Sequence, residues 1–154
     1  MKALYATIND ILTGDATLRG LLGYKEFKDV PVGKEGLQAG ISQMTIRRGY
    51  QTEGNWDKLL TYYFQPDIVM QDFSANIRNL PLVVVLFDRD NDLNLYEVAE
   101  RVIFLLHEAD LSNDGLVHSY GCHYAGQIQS PVYEQETKSY KMSIRFSIKA
   151  RKEI

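Results

Sequence analysis

The sequence predicts an α+β domain: a mostly antiparallel sheet with two main helices packed on one face, a long loop and an extended hairpin. Three observations carry this expectation. SYKMSIRFSI, near the C-terminus, alternates with a period of two. Tyr140, Met142, Ile144, Phe146 and Ile148 fall on one parity, and Lys141, Ser143, Arg145, Ser147 and Lys149 on the other, as in a strand with one buried face. LPLVVVLF, from Leu80 to Phe87, is a continuous apolar run, β-branched at its three valines, of the kind found in strands covered on both faces. Two stretches with apolar residues at helical spacing, at the N-terminus and after Asp92, supply the helices to cover such a sheet.

In chain order, Leu4, Ile8, Ile11 and Leu12 form the stripe of a first helix that Gly14 ends. Asp15 is placed to cap a short second helix carrying Leu18, Leu21 and Leu22 and closed by Gly23. Tyr24 to Gly40 holds three glycines and a proline without a sustained period, and reads as a long loop. Two β-leaning segments, Ile41 to Arg48 and Leu59 to Gln65, flank the polar GYQTEGNWD. They read as a hairpin with an extended tip, its second arm ended by Pro66. After LPLVVVLF comes the clearest helix, capped by Asp92 or Asn94, with a buried stripe of Leu95, Val98, Ala99, Val102, Ile103, Leu105 and Leu106 and a stop at SNDG. Two last strands, around Leu116 to Ile128 and Ser139 to Ala150, are joined through QSPVYEQETK. No linker or repeat divides the 154 residues, so residues 1–154 form one domain.

Composition narrows the function classes. The formal net charge of −3 does not recruit polyanions through the chain as a whole. A single cysteine, Cys122, cannot close an internal disulfide, in keeping with folding in a reducing compartment. The longest apolar run falls well short of the ~20 residues that cross a bilayer, and MKALYATIND reaches Asn9 and Asp10 before a signal-peptide core could form. The expectation is a soluble protein made in the cytoplasm, with no membrane partner.

Two motifs invite a chemical reading. DRDND spaces Asp88, Asp90 and Asp92 as a calcium loop does, but the sixth position is Leu93 rather than glycine and the twelfth is Ala99 rather than glutamate. With Glu97 the cluster could hold magnesium for phosphoryl transfer; the simpler reading is a helix-capping turn. HSYGCHY brings together His118, Cys122 and His123, with His107 the only other histidine. Zinc needs four ligands, and unbroken strand alternation would send His123 to the opposite face from His118 and Cys122. No P-loop, dinucleotide fingerprint or nucleophile elbow is present. No catalytic, metal or cofactor residue is assigned. The basic residues Lys141, Arg145, Lys149, Arg151 and Lys152 raise the question of nucleic acid, but Tyr140 and Phe146 have the opposite parity, so stacked bases are not expected on that face. It reads as a solvated face or a protein interface.

The opening ALYATINDILTGDATLRGLLG resembles the first helices of the tail-terminator, or tail-completion, proteins of long-tailed bacteriophages, through Asp15, Leu18, Leu21 and Gly23. PLVVVLF, YEVAERVIFLLHEA and PVYEQETKSYKMSIRFSIKAR are similar to later elements of that family in the same order. Tyr24 to Asn79 has no counterpart. The resemblance implies a non-enzymatic virion protein that forms a ring, typically a hexamer, at the head-proximal end of the tail tube. Such a ring ends tube polymerisation and joins the tail to the head connector, while DNA passes through the channel without sequence-specific binding. Its implied partners are copies of itself, the tail tube protein and the connector. Interface residues would then be Phe27, Val30 and Val32 in the long loop, Tyr50 and Trp56 at the hairpin tip, and Lys141, Arg145 and Lys149 on the last strand. Tyr50 and Trp56 have an alternative, which is to fold back over the chain's own core. Two other function classes compete: a small metal-dependent phosphoryl-transfer enzyme using Asp88, Asp90 and Asp92, and an α+β adaptor binding peptide or nucleic acid through its sheet.

Overall fold

A strand that is apolar on both parities must be covered twice, and the arrangement of the other elements follows from that need. The computed structural model describes residues 2–23, 45–54, 56–65, 68–69, 77–112, 117–126 and 130–152, with side chains undescribed at 2–3, 68–69, 77–79, 117–121 and 150–152. In chain order the described elements are α1 (Lys2–Gly14), α2 (Ala16–Leu22), β1 (Ile46–Arg48), β2 (Lys58–Phe64), β3 (Ile68–Val69), β4 (Ile77–Asp88), α3 (Leu93–Leu106), β5 (Val117–Tyr124), β6 (Val132–Glu134) and β7 (Ser139–Lys152). They build one sheet in the order β1-β2-β4-β7-β5, with β3 added to β4 and β6 to β7. The fold is α+β, as the sequence predicts.

The apolar run from Leu80 to Phe87 lies within β4, which pairs antiparallel with β2 on one side and with β7 on the other. Every residue from Leu82 to Asp88 is buried. Leu80, Leu82, Val84 and Leu86 join Met142, Ile144, Phe146 and Ile148 of β7 in the main core, covered by Leu4, Ile8 and Leu12 of α1, Leu18 and Leu22 of α2, and Val98, Val102 and Leu106 of α3. All three described helices therefore lie on one face. The alternate residues Val83, Val85 and Phe87 form a second, smaller core on the outer face with Leu59 and Trp56. Each such aliphatic or aromatic side chain gains about 1.5–3 kcal/mol on burial.

The hairpin expected in the middle of the chain is not formed. β1 and β2 are neighbours but parallel, with Ile46 opposite Leu60 and Arg48 opposite Tyr62. Parallel neighbours cannot be joined by a tight turn, so the chain must cross one face of the sheet to return. Residues 49–54 and 56–57 belong to that crossing. The first half of the expected strand, Ile41 to Met44, lies outside the described residues.

The helix ends follow local chemistry at the N-terminus and tertiary contacts later. Asp15 is extended (φ −90°, ψ 116°) and its Oδ2 accepts the Leu18 N–H, while Gly23 closes α2 in the left-handed region at φ 58°. At α3, Asp92 occupies the cap position without a side-chain cap bond; Asn91 Oδ1 accepts the Leu93 N–H instead, at 2.9 Å. The α3 helix ends at Leu106, ahead of the expected SNDG stop. The reason is the edge of β5: the Glu108 N–H donates to the Cys122 carbonyl at 2.7 Å, and the Tyr124 N–H donates to His107 Nδ1 at 3.0 Å. Glu108 turns out of the helix at φ 63°. The link expected between the last strands also contains β6, which pairs with β7 from Val132↔Lys141 to Glu134↔Ser139.

One ion pair ties α2 to α3. Arg101 Nε donates to Asp15 Oδ2 at 2.8 Å and its Nη2 to Oδ1 at 2.6 Å. The Arg101 hydrogen bond, with help from the Leu18 N–H, holds the Asp15 carboxyl below its ordinary range against the opposing effect of burial. Asp15→Ala removes both the cap and the pair, and is expected to cost about 1–2 kcal/mol at pH 7. Because the folded-state pKa is depressed, this contribution is complete above the unfolded value of ~4 and is lost as pH falls through the folded value. Urea unfolding of the two proteins should therefore show a clear gap at pH 7 that closes in acid.

Candidate interaction surface

The outer face of the sheet brings together most of the described residues expected at interfaces. Its base is the odd parity of β4 and β7: Phe87 lies opposite Lys141, Val85 opposite Ser143 and Val83 opposite Arg145. The apolar half, on β4 and β2, is covered by the crossing segment through Tyr50 and Trp56. The polar half, on β7, is not.

Three cations lock the crossing in place. Arg47 is only 3% exposed, and its guanidinium donates to the carbonyls of Gln51 at 3.2 Å and Glu53 at 2.5 Å. Burial lowers its pKa to about 10, with the Glu53 charge pulling the other way; it remains a cation at neutral pH. Arg89 lies over the Trp56 ring, 3.9 Å from the centroid. Its Nη1 donates to the Trp56 carbonyl at 2.7 Å and its Nε to the Thr137 carbonyl at 3.3 Å. Trp56 Nε1–H donates to the Thr52 carbonyl at 2.8 Å, and its ring meets Phe87 at 5.6 Å. Lys141 Nζ donates to Glu134 Oε2 and to the Tyr50 hydroxyl, each at 3.1 Å.

The expected interface residues that the structure describes each have a place. Trp56, 3% exposed, is folded back over the outer core and is not a projecting anchor. Tyr50 stays 49% exposed, with its ring edge-on to Tyr63 and Phe87. Lys141 is engaged within the chain, whereas Arg145 and Lys149 are exposed on β7. Phe27, Val30 and Val32 lie outside the described residues.

The acidic motif is a turn. Asp88 is fully buried; its Oδ1 accepts the N–H groups of Asp90 and Asn91 at 2.8 and 2.9 Å, and its Oδ2 accepts Asn94 Nδ2 at 3.0 Å. A carboxylate with its acceptor sites committed in this way shapes the strand-to-helix connection. In HSYGCHY a register shift between Ser119 and Gly121 sets His118 opposite Arg151 but Cys122 opposite Ile148, so the alternation between His118 and Cys122 is broken. Cys122 is buried, and burial pushes its thiol up to about 12, where little nucleophilic thiolate forms. The rings of His107 and His123 meet edge-on at 5.9 Å. Among the described residues, no group of three or more His, Cys, Asp or Glu side chains is arranged to hold a metal ion.

Sequence reasoning missed the outer surface of α3. Leu93, Tyr96 and Phe104 are 67%, 37% and 71% exposed. The signal was present, because all three fall off the buried stripe of the helix.

The clamp on the crossing segment makes a spectroscopic prediction, since Trp56 is the only tryptophan. Arg89→Ala should lower stability by about 1–3 kcal/mol. Its Trp56 emission should shift to the red and become more open to acrylamide quenching, while the far-UV circular dichroism stays that of the wild type.

No protein-family model and no curated protein matches the sequence. Among solved structures, the chain is similar to one in the "Virion of native gene transfer agent (GTA) particle", with a TM-score of 0.60 at 14% identity, covering 97% of this chain and 93% of that one. At that identity the likeness is one of fold, and it runs through nearly the whole of both chains.

Proposed function

We propose that this chain is a structural virion protein, a tail terminator that forms a ring on the head-proximal end of a long phage tail tube. The observation that carries the reading is the near full-length fold likeness to a chain of a gene transfer agent virion. The resemblance to tail terminators adds a second support, because one of the phrases it rests on, Asp15, Leu18, Leu21 and Gly23, is the capped helix α2.

The mechanism follows from surfaces and involves no bond made or broken. A head-to-tail contact that closes on itself gives a particle of fixed size with no free end, and six copies is the number the tail-terminator resemblance implies. One rim of the ring would seat on the last layer of tail tube protein and halt further addition. The other would receive the head connector, with DNA passing through the channel without sequence-specific contacts. The protein would be made in the host cytoplasm and end in the virion, at the neck. The phosphoryl-transfer reading gains nothing from the acidic motif, whose buried Asp88 is committed to its own turn.

Tails assembled with and without this protein, imaged by electron microscopy, test the proposal. Its absence should give tubes of uncontrolled length that do not join heads, and its addition should leave a ring at one end of each tube. Tails of normal length that join heads in its absence would overturn the assignment.

A further inference from the structure

We propose that the outer surface of α3 is a docking site for a second copy of this chain, received on the basic outer face of β7. Leu93, Glu97, Glu100 and Phe104 recur at i, i+4, i+7 and i+11, so they lie in one line along the helix. Leu93 and Phe104 are among the most exposed large apolar side chains described, at 67% and 71%. Phe104 is held in place by Arg101, whose guanidinium lies 4.8 Å from its ring centroid while pairing with Asp15. The result is an ordered stripe of apolar ends and an acidic middle.

The complement to that stripe lies on the opposite side of the same molecule. Arg145 and Lys149 are exposed on the outer parity of β7. Two exposed apolar side chains, Tyr50 at 49% and Val132 at 67%, adjoin the same face, since Tyr50 contacts Lys141 and Val132 pairs with it. The α3 stripe runs about 16 Å from Leu93 to Phe104, and the two cations span about 13 Å of strand. An acidic, apolar surface and a basic, apolar surface of similar length on opposite faces of one chain fit each other across copies. The contact is head-to-tail, with different surfaces on its two sides, the kind that makes a ring when the rotation from copy to copy closes. It rests on the ring reading and deepens it by naming the self-contact.

Sedimentation velocity of the full chain at low salt tests this, with two charge-reversed variants. Wild-type protein should self-associate, and added salt should weaken the association. E97K/E100K and R145E/K149E should each associate more than ~10-fold more weakly than wild type. An equimolar mixture of the two should recover association, because each reversed surface then meets its opposite. Phe104→Ser should weaken association without affecting the circular dichroism. A wild type that stays monomeric, reversal variants that associate like wild type, or a mixture that fails to recover would each overturn the proposal. Variants that self-associate normally but no longer add to tails would also overturn it, because the stripe would then serve another protein. The tail reading fails separately, through tails of normal length made without the protein.

Discussion

Burial of β4 on both faces is the constraint on which the rest of the structure depends. Leu82 to Asp88 admits no solvent on either side, so a single layer of helices cannot complete the fold. The three described helices answer for one face. On the other, the chain crosses between two parallel strands and lays Trp56 over Phe87 and its neighbours. The parallel β1–β2 pair, an oddity among the described strand pairs, is what sends the chain across the outer face.

Placement of the cations separates structural from available charge. Arg47, Arg89 and Arg101 each serve an internal contact: two hold the crossing segment, and one ties the α2 cap to α3. Lys141, which sequence parity groups with Arg145 and Lys149, is drawn into a contact with Glu134 and Tyr50. The basic face of β7 is thereby reduced to Arg145 and Lys149 among its described side chains. Two charges beside exposed apolar groups suit a protein surface better than a phosphate backbone, along which contacts must be many to give strong binding.

Some elements were legible because their cause is local. The run at β4, the alternation at β7, and the Asp15 and Gly23 caps of α2 are each decided by residues close in sequence. Others were not, because distant residues decide them. A period of two is the same in parallel and antiparallel strands, so the direction of β1 depends on Arg47 finding the carbonyls of Gln51 and Glu53 and on Trp56 finding Phe87. The end of α3 depends on its hydrogen bonds to the edge of β5. At the candidate surface, parity located Lys141, Arg145 and Lys149, but the partner of Lys141 at Tyr50 is 91 residues away. Leu93 and Phe104 went unread because attention to the buried stripe of a helix passes over the apolar residues that miss it.

Amide hydrogen exchange, resolved by residue, tests the two-sided burial most directly. With both faces of β4 covered, the Leu82 to Phe87 amides should exchange only through global unfolding, in the slowest class, together with the paired centre of β7. If the β4 amides exchanged at rates typical of an edge strand while the helices stayed protected, the outer cover under Trp56 would not exist. The account of this fold would then be wrong at its centre.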